Sequence, residues 1–299
     1  MLFRRHSRLT VPARAALAAI LRAPTYELIP LKTAMDEAAT LPAGARVSVT
    51  ASPARGPEAT IELCERLTTL GFEAVPHLSA RMTRDRAHLV DQLERLRAAG
   101  IDRAFVVGGD AKEPGAFPDG LSLLRAMAEA GLAPAEIGIP CYPQGHAFIA
   151  DGPLADALRA KVPFASYMTT QLCFDPVSIA AFVAARRAEG LDLPVHIGIP
   201  GVAEPHRLLA ITARIGVADT QRFLTKNMRF VARMLRSGGF YRPDSLLEGL
   251  APAIADPAMG FAAVHLYTFN ATHRTEAWRR AFVARLTVAP GTETAAARR

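Results

Sequence analysis

Cysteine is scarce in this chain of 299 residues: Cys64, Cys141 and Cys173 stand far apart with no CxxC spacing. That pattern excludes a disulfide framework and argues against a zinc site, so the three read as buried thiols. Lysine is nearly absent too, occurring only at Lys32, Lys112, Lys161 and Lys226, so the net charge of +7 is carried almost wholly by arginine. The arginines are spread along the chain rather than clustered beside aromatics, which argues against a nucleic-acid surface and leaves the charge as a matter of solubility and association. No apolar run reaches the roughly 18–20 residues of a membrane span. Missing as well are GxGxxG, HxH or HExxH, and any nucleophile elbow, so a dinucleotide turn, a metal cluster and a serine-hydrolase site find no support.

What is present is enough apolar sequence, 50%, to bury one large core over a length that single (β/α) barrels commonly occupy. The first 25 residues form a basic stretch, too short in its apolar part for a signal peptide and broken by Arg14 and Arg22; they read as an amphipathic or partly disordered arm. Residues 26–289 read as one catalytic domain and 290–299 as a flexible tail, in a cytoplasmic protein with no membrane or nucleic-acid partner and room for homo-oligomerisation.

The segment Arg103–Asp110, RAFVVGGD, sets the pattern for the rest. Its β-branched and aromatic run is too short for a helix and predicts a buried parallel strand. Gly108 and Gly109 remove side chains where something flat approaches the backbone, and Asp110 points at whatever approaches. Strands of this kind start near residues 26, 46, 73, 103, 136, 165 and 194, and an eighth near 262. Between them lie helical patterns at Thr33–Thr40, Glu58–Leu70, Arg84–Ala99 with Thr83 as its cap, Leu121–Ala130, Pro153–Lys161 and Pro176–Glu189. The long interval from 194 to 262 holds several further helical patterns between Glu204 and Pro257. Eight βα units predict a (β/α)8 TIM-type barrel with extra helices between strands 7 and 8. The competing open doubly wound sheet lacks its glycine-rich turn.

In such a barrel the chemistry sits at the C-terminal ends of the strands. There the sequence places Glu27, Thr50, His77, Asp110, Tyr142 with His146, Gln171, and Thr268 with Asn270. Any one could be a satisfied polar group in a core layer; as a set, on seven of eight strands, they predict a site. It offers two carboxylates among amide, hydroxyl and imidazole groups, and no metal. Glu27, flanked by Tyr26, Leu28 and Ile29, is expected in apolar surroundings that suit a general acid. Chemistry beyond proton transfer would need a cofactor.

Seven of these strand ends, YELIP, VSVT, EAVPHLS, VVGGD, CYPQGH, TTQLCFD and HLYTFN, fall in the order and at the spacings of the methylenetetrahydrofolate reductase family, which the chain resembles from about Tyr26 to Arg280. The resemblance implies an FAD-dependent barrel in one-carbon metabolism and methionine biosynthesis. It would reduce 5,10-methylenetetrahydrofolate to 5-methyltetrahydrofolate with NAD(P)H, or run the reverse. By the same resemblance Glu27 is the acid that opens the folate ring, Asp110 lies between flavin and folate, and Gln171, Thr268 and Asn270 belong to the substrate side. Thr50, His77, Gly109, Asp110, Tyr142, His146 and Lys161 would line FAD. The chain departs from the family's pattern at Gly108 and Ala271, where arginines are usual, and at Leu154, where an aspartate is usual. Its first strand ends PLK rather than in a double proline. The departures leave open a flavin-free barrel that binds folate or a pterin without redox turnover, and a flavin-free reductase using NADH directly.

Overall fold

The computed structural model describes residues 9–146, 148–204, 206, 208 and 239–287. Eight parallel strands close on themselves in chain order: β1 (Thr25–Leu28), β2 (Arg46–Val49), β3 (Glu73–Ser79), β4 (Arg103–Val107), β5 (Glu136–Cys141), β6 (Tyr167–Thr170), β7 (Val195–Pro200) and β8 (Phe261–Tyr267). Closure is made by β1, which pairs on one side with β2 and on the other with β8. That pairing is the (β/α)8 barrel the strand period predicts, and it rules out an open sheet.

Helices follow the strands: α2 (Ala34–Ala38), α3 (Gly56–Thr69), α4 (Arg86–Ala98), α5 (Gly120–Ala130), α6 (Asp151–Lys161), α7 (Pro176–Ala188), α8 (Asp244–Ile254) and α9 (Thr272–Thr287), with α1 (Val11–Ile20) preceding β1. α1 starts at a Thr10 cap and buries Leu17, Ala18 and Ile20. It packs on α8 and α9, and Arg14 donates to the carbonyls of Arg285 and Leu286 at the C-terminus of α9, where a cation suits the helix dipole. Of the helical patterns expected between Glu204 and Pro257, α8 is described; residues 205, 207 and 209–238 lie outside the described residues, as do 1–8 and the expected tail after 290.

Three local expectations are corrected. α4 is capped by Asp85, whose side chain accepts from the His88 amide. Thr83 instead donates back to the Ser79 carbonyl in a buried turn, and a carboxylate is a good acceptor at a helix start. β6 ends at Thr170 rather than running to Phe174, because its pairing with β7 stops at Thr169 and His196. The phenol of Tyr267 passes over Gly198 and donates to the Thr170 carbonyl at 3.0 Å in place of a strand partner. β8 ends at Tyr267, since Phe269 and Asn270 both take left-handed backbone (φ 52° and 54°), which no strand accommodates.

Side-chain alternation divides the strands into two faces. One set, including Tyr26, Leu28, Val47, Val49, Val106, Ile139, Met168, Ile197, Ile199, Val264 and Leu266, joins the helices in the main apolar core. The other set points inside the barrel, where Val75, Phe105 and Tyr167 form a separate small cluster. At the N-terminal end of the interior, Arg46, Glu73, Arg103 and Glu136 alternate in sign as a ring of ion pairs, with Arg103 Nε 2.8 Å from Glu136 and Arg46 Nε 3.1 Å from Glu73.

Two interior glycines yield their volume to neighbouring rings. A Cβ on Gly138 would meet the Tyr167 and Phe105 rings at 2.3 and 2.6 Å, and one on Gly198 would meet the Thr170 backbone carbonyl at 1.9 Å and Tyr267 at 2.7 Å. A ring can turn aside; a strand carbonyl cannot. Gly198→Ala is therefore expected to lower stability by about 1–3 kcal/mol or more, and by more than Gly138→Ala, read as the shift in urea midpoint at unchanged slope. Equal costs would show that the Tyr267 crossing is not a fixed part of the interior.

Candidate functional site

Glu27 enters the barrel interior from β1, because its neighbours Tyr26 and Leu28 alternate outward into the main core. The apolar surroundings expected for its carboxylate are thus corrected: the sequence neighbours face the other way. Its Oε2 lies 3.2 Å from His265 Nε2 on β8 and 3.8 Å from His77 Nε2 on β3. His77 is bonded in turn to Ser48 Oγ at 2.8 Å and packs on Phe105 at 4.8 Å between ring centroids. Burial pushes its imidazole down to about pH 4, with Glu27 opposing and His265 adding to the shift.

Below this group, His196 on β7 stacks on Tyr167 with ring centroids 4.0 Å apart and an 18° interplanar angle. Burial first, then His265 and Arg46, depress its titration to about 3. Its Nδ1 and the Thr169 hydroxyl are buried without a hydrogen-bond partner.

At the mouth Gly109 adopts φ +87°, and a Cβ there would strike the Ser79 hydroxyl at 1.9 Å. That hydroxyl is itself buried and unpartnered. Asp110 is exposed beside them, near enough to Tyr142 and His146 to act on both. Tyr142 is pushed up to about 12, by burial first and then by Cys141 and Asp110. His146 is lowered by burial against the pull of Asp110, and its ring meets Tyr142 edge-on at 5.1 Å.

Behind Tyr142 the β5 exit, α6 and α7 enclose a cavity of about 410 Å³ whose lining includes Leu154, Lys161, Asp151 and Arg186. Burial lowers the Lys161 ammonium, only partly offset by Asp119, and among the described residues no carboxylate lies within ion-pair distance of it. Arg186 Nε is buried without a partner, although its other end pairs with Glu189.

The remaining predicted positions serve the barrel's seam and rim. Thr268 donates to the Glu27 carbonyl, and the Asn270 amide clamps both backbone groups of Ile29 at 2.8 and 3.0 Å. Gln171 Oε1 accepts from the Leu172 amide, which leaves its NH₂ free of that bond. Thr50 takes the Leu28 carbonyl through its backbone. The structure therefore brings Glu27 and His77 together, gathers Asp110, Tyr142, His146 and Lys161 on another side of the mouth, and places Thr268 and Asn270 at the rim just beyond Glu27.

The sequence reading missed His265, His196, Tyr167, Ser48 and Arg186. For His265 the signal was available: it lies two residues before Tyr267 on an alternating strand, hence on the same inward face.

A family model described as methylenetetrahydrofolate reductase matches residues 30–277. The chain belongs to the methylenetetrahydrofolate reductase family. Membership supports a folate-related oxidoreductase role. The match begins just beyond Glu27, so that residue rests on geometry and motif. Among solved structures, the barrel is similar to a putative phosphonomutase from Burkholderia cenocepacia, at 16% identity and TM-score 0.41, over 76% of this chain and 100% of that one. It is also similar to dihydropteroate synthase from Thermus thermophilus, at 14% identity and TM-score 0.41, over 86% and 93%. Among the described residues no helix is long and apolar enough to cross a membrane, and no group of three His, Cys, Asp or Glu is placed to hold a metal ion.

Family members generally bind FAD, and the residues here fit such a group. Lys161 and the orphaned Arg186 Nε would present positive charge to a phosphate-bearing moiety in the cavity, and the space beside Gly108, with nothing within 4 Å of an added Cβ, would admit a flat ring at the mouth, while Gly109 is closed over by the Ser79 hydroxyl.

The two depressed imidazoles make stability depend on pH. Each is neutral when folded but titrates near 6.5 when unfolded, so below that pH the unfolded chain binds more protons and stability falls. The loss runs from about pH 6.5 down to 4 for His77 and to 3 for His196, each unit being worth about 1.4 kcal/mol. His196→Phe, which keeps the stack on Tyr167, is expected to flatten the decline between pH 6.5 and 4 in denaturant titrations. An unchanged slope would mean that His196 is charged or solvated in the folded protein.

Proposed function

We propose that this protein is a methylenetetrahydrofolate reductase-like oxidoreductase that interconverts 5,10-methylenetetrahydrofolate and 5-methyltetrahydrofolate with NAD(P)H and FAD. The observation that carries the reading is the Glu27 carboxylate, drawn into the barrel interior by strand alternation and held there by imidazole. Gly109, Ser79, Tyr142, His146, Lys161 and Arg186 would hold FAD, which when bound supplies two-electron chemistry between nicotinamide and folate. In the reducing direction each turnover takes up one hydride and one proton. Glu27 gives its proton to the folate ring nitrogen, opening the five-membered ring to the iminium that accepts hydride. Asp110 sits exposed at the mouth, where a substrate ring would lie against it, and the Gln171 NH₂ is available to a folate carbonyl. In the reverse direction Glu27 takes the same proton back.

Glu27→Gln keeps the shape and removes the proton. It is expected to leave reduction of bound flavin by NAD(P)H near normal while cutting the folate half-reaction by roughly 10²–10⁴-fold. Stopped-flow measurement of both half-reactions checks this; loss in both, or in neither, would remove Glu27 from the acid role.

A second reading, a folate- or pterin-binding barrel without flavin or redox turnover, is favoured by two features: the space around Gly108 is open, with nothing within 4 Å of an added Cβ, and Leu154 in the cavity wall offers no polar contact. Two missing charge-assisted contacts, at about 1.5–3 kcal/mol each, would weaken flavin binding by roughly two to four decades if nothing replaced them. Arg186 is a candidate replacement. Calorimetric titration separates the readings: the reductase takes up both FAD and folate, the pure binder takes folate alone, and a reductase working directly from NADH oxidises it with folate while staying colourless.

A further inference from the structure

The barrel treats the two oxygens of Glu27 differently. Oε2 is engaged by His265 at 3.2 Å, with His77 at 3.8 Å, whereas among the described residues no hydrogen bond is made to Oε1. His265 is buried and cannot swing away, because its ring is packed 5.0 Å from Tyr267 and 6.3 Å from Phe105 between centroids. The register fixes the approach: Thr25 pairs with His265 and Glu27 with Tyr267, so the imidazole reaches Glu27 diagonally across the closing seam. His77 is spoken for by Ser48 and stands farther off.

Resting on the acid role of Glu27, we propose that His265 is the positioning residue for that acid. Nε2 holds Oε2 and leaves Oε1 to carry the transferable proton toward the mouth. Once Glu27 has given its proton to substrate, the new carboxylate lies in the barrel interior and needs a donor. The His265 tautomer that carries its hydrogen on Nε2 supplies it, and the proton is restored from the solvent side before the next turnover. The titratable groups that face or neighbour His265 are Glu27 from β1, His77 from β3, Tyr167 from β6, His196 from β7 and Tyr267 from its own strand; β4 and β5 contribute Phe105 and Gly138, which carry no charge. Arg46 and Glu136 lie in the ring of ion pairs below.

The test compares His265→Leu, which removes the donor, with His265→Gln, which keeps an N–H, beside Glu27→Gln. Single-turnover folate reduction is followed against pH, with flavin reduction as the control. His265→Leu is expected to lower the maximal folate rate by about ten- to a hundredfold, the scale of a misplaced reacting group. KM should change little. The alkaline limb should move to higher pH, because an acid that has lost a donor to its anion stays protonated longer. His265→Gln should recover most of the rate.

A readout independent of turnover is the infrared band of the protonated carboxyl that Glu27→Gln abolishes: in His265→Leu it should persist to higher pH than in the unaltered protein. If His265→Leu does not fold, the shorter His265→Asn against His265→Gln decides the same point in both readouts. Unaltered rate and pH limb in the His265 variants, with the folate step still lost in Glu27→Gln, would overturn the positioning role and leave the acid. A Glu27→Gln protein that keeps the folate step would overturn the acid role itself.

Discussion

A closed eight-stranded barrel has an interior that must be filled by its own side chains, and in this protein the filling is polar. Branched aliphatics would have satisfied the volume without further conditions. Here imidazoles and phenols occupy it instead, made possible by Gly138 and Gly198, which give up their side-chain volume to Tyr167 and Tyr267. Each buried polar atom then needs a partner or exacts a desolvation cost. Ser48 with His77, His265 with Glu27, and Tyr267 with the Thr170 carbonyl meet that demand. The placement of a carboxylate at the centre of the fold follows from this arrangement: the groups that fill the space are also the ones that can hold it.

The two ends of the interior are built on opposite principles. At the N-terminal end, Arg46, Glu73, Arg103 and Glu136 alternate around the opening. Each pair is partly exposed and individually worth about 1 kcal/mol or less, but as a ring they tie four successive strands to one register. At the C-terminal end the corresponding positions carry Gly109 in a left-handed conformation, an unpartnered serine hydroxyl and a lysine short of a counter-charge. Charge is satisfied where the barrel is anchored and left incomplete where a ligand would complete it.

The barrel was legible because βα units repeat at a regular period and short apolar runs between glycines and helix caps allow few other structures. Strand ends were less so. β6 and β8 stop earlier than their composition suggests, since Tyr267 takes over a strand partner's role and Phe269 and Asn270 turn left-handed. Those events come with contacts far apart in sequence, Tyr267 to Thr170 across 97 positions and Asn270 to Ile29 across 241. For the site, Glu27, His77 and Asp110 could be found by asking what stands at a strand's end, whereas His265 and His196 sit one or two layers lower, where a sequence reader expects filling. The surroundings of Glu27 were misjudged for the same reason: adjacency along a strand is not adjacency in space, and alternation sends Tyr26 and Leu28 to the opposite face.

The seam between β1 and β8 has no chain connection of its own. It is closed by contacts of very long sequence separation: His265 to Glu27 across 238 positions, Asn270 to Ile29 across 241, and Tyr26 to Glu276 across 250. During synthesis, β1 is made before the other strands and waits as an edge strand with one neighbour, its second partner arriving only after the six strands between them have been made. Glu27 acquires His265, and its backbone the Thr268 and Asn270 ties, at that final moment. A ribosome that stalls before β8 therefore leaves a product that has most of its helices and the Asp110, Tyr142 and Lys161 side of the mouth yet a Glu27 without its imidazole partner, so the interior pairing of Glu27 coincides with closure of the barrel.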